Sequence, residues 1–227
     1  MSKIFLDSSN SDLMKHWKSV ISGVTTNPSI LKKEGGDLEE ICRYMANKHV
    51  SVESGGDLLQ QAEVLWNWLS PMNPALTVKI PFLDINGDHN LDIISELTEK
   101  GIPVNCTAML SLSQIILASK AGAKYVSLFA GRIDDEGGDY KEVVKDCVTY
   151  LDNNFFDKGC ELIVGSVRTV GNVLDCIKVG AHIITVPPPV LQKMITHQYS
   201  IFTSNQFEND YVSAEQLSGQ RVGVNGT

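Results

Sequence analysis

Leu76-Thr77-Val78-Lys79-Ile80-Pro81-Phe82 is an apolar run of strand length with a lysine near its centre. The run reads as a buried strand, a setting in which a solvated surface lysine does not ordinarily stand. An amine held in an apolar pocket loses hydration of its charged form, so a neutral, nucleophilic amine becomes available near neutral pH. Lys79 is therefore a candidate Schiff-base former. A lysine snorkelling from a strand end, or one member of a structural ion pair, reads equally well from this run alone.

Working outward, the same pattern recurs. Strand-like runs at 3–7, 22–27, 49–53, 76–82, 103–107, 124–129, 161–166 and 182–186 alternate with stretches of helical periodicity. The helical stretches are 37–47, 58–69, 90–100, 111–121, 140–151, 169–179 and 189–196. Eight strands alternating with helices in 227 residues predict an α/β fold, a single (β/α)8 TIM barrel occupying the whole chain, 1–227, with 197–227 as a C-terminal helical extension. Phe202, Phe207 and Tyr211 in that extension suggest a short helix that docks on the barrel or on a neighbouring subunit, and 218–227 reads as frayed. Trp66 and Trp68 read as core or interface packing.

Nearly every strand ends in a side chain able to do chemistry. Successive strand side chains point to opposite faces, so with Lys79 inward, Thr77 shares its face while Leu76, Val78 and Ile80 pack outward. The same alternation turns Asp7, Ser51, Glu53, Asn105 and Thr107 inward, and Ile4, Leu6, Val50, Val52, Val104 and Cys106 outward. In barrels of this kind the active site lies at the carboxyl ends of the strands. Polar residues recurring there on one face point to a site and not to a purely structural core.

Composition narrows the class. An apolar fraction of 43% describes a globular chain with a full core, and a formal net charge of -8 argues against nucleic acid or an anionic membrane as a partner. No run reaches membrane-spanning length, and the amino terminus lacks the apolar core of a secretory signal. Five scattered cysteines form neither a CxxC pair nor a disulfide framework, so the expected compartment is cytoplasmic. Five histidines show no metal-ligand spacing.

Several motifs, in order, resemble the transaldolase family: Phe5-Leu6-Asp7-Ser8-Ser9-Asn10, Gly23-Val24-Thr25-Thr26-Asn27-Pro28-Ser29, Val50-Ser51-Val52-Glu53, Val78-Lys79-Ile80-Pro81, Asn105-Cys106-Thr107, Tyr125-Val126-Ser127-Leu128-Phe129-Ala130-Gly131-Arg132 and Gly165-Ser166-Val167-Arg168. The match runs through Pro187, and the length is similar to that of short single-barrel transaldolases and the related fructose 6-phosphate aldolases. The resemblance implies a class I aldolase barrel with its Schiff-base lysine on strand four, at Lys79. It implies that Asp7 takes the proton from the C4 hydroxyl, and that Glu53 and Thr107 position a water for proton transfer. Asn27, Asn105 and Ser127 would bind substrate hydroxyls, with Phe129 as an apolar wall. Arg132, Ser166 and Arg168 would grip the phosphate, although either arginine alone reads as a surface ion-pair partner.

The implied reaction transfers a dihydroxyacetone unit from sedoheptulose 7-phosphate or fructose 6-phosphate to glyceraldehyde 3-phosphate or erythrose 4-phosphate, in the non-oxidative pentose phosphate pathway and without organic or metal cofactor. The nearest alternative is fructose 6-phosphate aldolase, in which a glutamine resembles Glu53 and a tyrosine resembles Phe129. A non-catalytic sugar-phosphate binding protein is the alternative of another class. The resemblance also implies a homo-oligomer, a ring of five or a pair of such rings. Ser8-Ser9 and Gly165 depart from common family residues as packing changes, and Pro187-Pro188-Pro189 predicts a stiff exit from strand eight.

Overall fold

The structure, a computed structural model, describes residues 2–155 and 159–222. These form eight strands, β1 (Lys3–Asp7), β2 (Gly23–Thr25), β3 (His49–Glu53), β4 (Leu76–Pro81), β5 (Val104–Met109), β6 (Tyr125–Phe129), β7 (Glu161–Gly165) and β8 (Ile183–Val186). The helices are α1 (Ser11–His16), α2 (Pro28–Glu34), α3 (Leu38–Tyr44), α4 (Leu58–Leu69), α5 (Leu91–Glu99), α6 (Leu112–Lys120), α7 (Ala130–Asp135), α8 (Tyr140–Phe155), α9 (Val170–Lys178), α10 (Pro188–Ile195) and α11 (Gln198–Val222).

All neighbouring strands pair in parallel, and β1 pairs with β8, so the sheet closes into a (β/α)8 barrel. Alternation along each strand explains the core. Val50, Val52, Leu76, Val78, Ile80, Val104, Cys106, Val126 and Leu128 are buried at the outward positions, between sheet and helices. At the inward positions Phe5, Ile163 and Ile183, with Tyr125 against them, form an apolar floor. Above that floor the lumen turns polar.

Local chemistry sets the helix starts. Asn27 accepts the backbone N–H of Ile30 and is followed by Pro28 in the first turn, while Thr169 and Asn172 form a reciprocal capping box on α9. Pro188 and Pro189 likewise open α10, so the triple proline that reads as a stiff loop starts a helix directly after β8.

Three short helices, α1, α2 and α7, are absent from the sequence reading, whereas α3, also seven residues, falls within the stretch read at 37–47 because Ile41 and Cys42 mark its buried face. β5 runs two residues beyond the expected end, through a register irregularity between Cys106 and Met109 at which Ala108 takes φ 62°. Trp68 is 44% exposed and donates its indole N–H to Glu39, and Trp66 is half-buried, so neither belongs to the core.

Residues from Leu191 onward form a separate compact unit. Its main element, α11, has 25 residues and is not the short helix expected. Tyr199, Ile201, Phe202, Phe207, Tyr211 and Val212 are exposed and distributed around it, so no single stripe announces its length in the sequence. Of the segment read as frayed, Ser218 to Val222 continues α11, and 223–227 lies outside the described residues.

Candidate active site

A cavity of about 220 Å³ opens at the carboxyl ends of the strands. Asp7, Asn27, Lys79, Thr107, Ser127, Phe129, Arg132 and Ser166 line it, joined by Thr25, Ile163, Gly165 and Thr185. Of the residues singled out in the sequence, Glu53, Asn105 and Arg168 do not line it, and each is held by a definite partner.

Lys79 is 6% exposed and does not snorkel. Its Nζ donates to the Thr26 carbonyl at 2.9 Å and lies 3.0 Å from Glu53 Oε2. Register explains the second contact: Glu53 is the Cα partner of Lys79 across β3 and β4, and Asn105 is its partner on β5. Lys79 is therefore a buried amine and also one member of an ion pair, as the ion-pair reading of the strand expected. Thr107, one strand over and inward, is the buried side chain whose hydroxyl has no hydrogen-bond partner among the described residues. A buried hydroxyl left unpaired in a native fold calls for an explanation, and here it faces the cavity.

Asp7 ends β1. Burial raises its pKa most, with further raising by the nearby charges of Glu34 and Glu53, against lowering by the Thr25 hydroxyl and Lys79. Thr25 donates to Asp7 Oδ1 at 2.8 Å and meets the Thr185 hydroxyl at 2.5 Å. With the Thr25 proton directed at the carboxylate, Thr185 must donate to Thr25, so two hydroxyls brace Asp7 from β2 and β8. The sequence marks Thr25 as a polar strand end without giving it a role and does not single out Thr185, whose place on β8 opposite Phe5 of β1 is the available signal.

Asn105 is fully buried. Its Oδ1 accepts from Ser127 at 2.7 Å and its Nδ2 donates to Ser51 at 3.0 Å. Ser51 in turn meets Thr77 at 2.9 Å and His49 Nε2 at 2.6 Å. Ser127 thus spends its proton on Asn105 and offers lone pairs to the cavity, while Asn105 fixes Ser127 from behind. His49 is stacked on Phe5 and meets Tyr125 edge-on, and burial, helped by Lys124 and Lys3, pushes its pKa down to about 3.

The expected phosphate grip is only partly assembled. Ser166 lines the cavity in a left-handed conformation, φ 58°, and Arg132 lines it with an exposed guanidinium. Arg168 instead donates from its two terminal guanidinium nitrogens, Nη1 and Nη2, to Asp135, at 2.5 and 2.6 Å. A planar fork matches a carboxylate as well as it matches a phosphate, and Asp135 lies close enough to take it. Gly131 permits this corner to close: a Cβ there would stand 2.2 Å from the Ser166 carbonyl oxygen.

All five cysteines are buried free thiols, and burial pushes each up to about 12. Among the described residues no cluster of three or more His, Cys, Asp or Glu could hold a metal ion, and no helix is long and apolar enough to cross a membrane.

A closed parallel barrel that gathers a buried lysine with acid, amide and hydroxyl groups at its carboxyl rim defines the (β/α)8 class, with a candidate site at the end where such barrels carry theirs. Comparison with known proteins gives the family. The profile of the Transaldolase/Fructose-6-phosphate aldolase family matches residues 4–225. A probable transaldolase of Clostridium tetani is 37% identical over 222 residues, 93% of this chain and 98% of that protein. One from Thermoanaerobacter is 35% identical over 93% of this chain and 98% of its own length, and one from Syntrophobacter fumaroxidans is 34% identical over 97% of this chain and 100% of its own. The chain belongs to the Transaldolase/Fructose-6-phosphate aldolase family.

Proposed function

We propose that this enzyme is a transaldolase that carries a dihydroxyacetone unit on Lys79. The observation that carries the reading is the buried Lys79 amine on β4, 3.0 Å from Glu53 and sharing a cavity with Asp7. The amine adds to the C2 carbonyl of a ketose phosphate, and loss of water gives an iminium. Glu53, with a water held by Thr107, relays the protons of that step. Asp7 then takes the proton of the C4 hydroxyl, the C3 to C4 bond breaks, and its electron pair moves into the iminium to leave an enamine. The aldose phosphate departs, and the enamine carbon attacks the aldehyde of a second aldose phosphate, whose oxygen recovers the proton from Asp7. Hydrolysis of the new iminium frees Lys79.

Ser127 suits a substrate hydroxyl because its lone pairs face the cavity, and Asn27, its Oδ1 spent on capping α2, can donate through Nδ2. Asn105 acts here through Ser127. Arg132 and Ser166 bind the phosphate, and Arg168 joins them by exchanging Asp135 for the phosphate or by bridging both. Donors such as sedoheptulose 7-phosphate or fructose 6-phosphate, and acceptors such as glyceraldehyde 3-phosphate or erythrose 4-phosphate, fit a cavity with an amine at one end and a guanidinium at the other. We read the setting as the non-oxidative pentose phosphate pathway in the cytoplasm, with the enzyme as a homo-oligomer.

Glu53 and Phe129 favour transfer over simple cleavage, since glutamine and tyrosine resemble these positions in the aldolase branch. Borohydride reduction in the presence of fructose 6-phosphate, followed by mass spectrometry, should find a three-carbon or six-carbon adduct on Lys79. No adduct on folded protein would leave binding without chemistry. Main activity as release of free dihydroxyacetone without erythrose 4-phosphate would make the enzyme a lyase.

A further inference from the structure

The chain leaving β1 directly after Asp7 is gripped by a carboxylate from another element. Glu34, in the last turn of α2, collects three donors on one oxygen: Ser8 Oγ at 2.7 Å, the Ser9 backbone N–H at 2.7 Å and Ser9 Oγ at 3.3 Å. Ser8 and Ser9 are fully buried, and Glu34 is half-buried. Ser8 Oγ also accepts the N–H of Asn10, the residue that caps α1, so the grip extends from the end of β1 to the next helix.

The chain beyond Glu34 is pressed against the same place. Gly35 ends α2 in a left-handed conformation, φ 71°, and Gly36 follows so close to Ser9 that a Cβ would stand 2.3 Å from its carbonyl oxygen. A glutamate at a helix C-terminus opposes the helix dipole, so α2 itself gives no reason for a carboxylate there. The charge-assisted donors after β1 do.

We infer that Glu34 is a positioning residue for the reaction: through Ser8 and Ser9 it clamps the segment that directly follows Asp7. The inference rests on the reading of Asp7 as the group that exchanges a proton with the C4 hydroxyl. The charged groups whose fields act on Asp7 are Lys79 from β4, Glu53 from β3 and Glu34 from α2. Burial is the main cause of the raised Asp7 pKa, and Glu34 adds to it more than Glu53 does. Glu34 thereby helps Asp7 hold the proton between cleavage and capture, and the clamp keeps the carboxylate from swinging away from Lys79.

The test uses full-length Glu34→Gln and Glu34→Ala, with Asp7→Asn as reference. The Asp7 titration is read by carboxyl-carbon NMR, assigned by the signal lost in Asp7→Asn, and needs no turnover. Glu34→Gln keeps an acceptor oxygen and loses the charge, so the Asp7 midpoint and the acid limb of kcat/KM should both move to lower pH. Glu34→Ala should lower kcat by about tenfold or more, part of what a well-placed base supplies, with KM changed far less. An unmoved midpoint in Glu34→Gln together with unchanged kcat in Glu34→Ala, only the melting temperature falling, would make Glu34 a structural brace and overturn the inference. Turnover retained in Asp7→Asn would overturn the role of Asp7 and the catalytic part of this inference. That outcome is separable from the first because the NMR midpoint still reports the Glu34 to Asp7 coupling.

Discussion

Glu53 and Lys79 stand opposite each other in the register of β3 and β4, and their charged ends meet at 3.0 Å. Facing inward positions on neighbouring parallel strands put the two side chains in one layer of the lumen, so the pair is a consequence of register. Lys79→Met should therefore do two things. Imine formation is lost, and the half-buried Glu53 carboxylate loses its partner, which should destabilise the fold by about 2–3 kcal/mol. Urea denaturation checks the second effect. Adding Glu53→Gln should recover at least half of the loss, and strict additivity of the two changes would contradict the pairing argument.

Asp7→Asn should remove transfer activity and raise stability at neutral pH. The folded pKa of Asp7 lies above its unfolded value, chiefly through burial, so ionised Asp7 destabilises the native state at neutral pH. That penalty is present above the folded pKa and disappears as pH falls through it. The gain from Asn should accordingly be largest near pH 7 and fade in acid, as followed by melting temperature across a pH series.

Thr107→Val separates chemistry from folding. The Thr107 hydroxyl is buried without a partner among the described residues, so replacing it by a methyl of similar shape should leave stability unchanged or raise it by about 1 kcal/mol. If the hydroxyl holds the water of the imine steps, kcat should fall by about tenfold to a hundredfold. A clear drop in stability with full activity would assign Thr107 to the core.

His49 makes stability depend on pH in the opposite sense to Asp7. Its folded pKa of about 3 lies below the ordinary 6.5, so the unfolded chain takes a proton first. The stability due to neutral His49 is complete above about pH 6.5 and is lost as pH falls toward 3, with a limiting slope of about 1.4 kcal/mol per pH unit. His49→Gln should flatten the dependence, measured as the difference between the two proteins in urea unfolding at pH 5 and pH 7. Equal slopes would mean that His49 is reached by solvent.

The barrel was largely legible because strand side chains alternate. Period-two patterning separates lumen from helix-facing residues, and it turned Asp7 and Thr107, which line the cavity, toward the lumen without any coordinates. The six-residue helices Ser11–His16 and Ala130–Asp135 escaped because so few turns leave no periodic trace. The length of α11 escaped because its exposed aromatic residues follow no single face. Ser9, which reads as a small packing change, turns out to donate to Glu34.

What the sequence determined by itself is the class of scaffold and the inventory of side chains that enter it, since local backbone geometry dictates the face on which each Cβ emerges. Pairing was decided only by the folded barrel. Arg168 meets Asp135 across 33 positions, Asn105 is drawn behind Ser127 by Ser51 across 54, and Glu34 reaches back 25 and 26 positions to Ser9 and Ser8. Such contacts depend on strand register and on closure of β8 against β1, and both emerge from packing of the whole sheet, which no local spacing encodes.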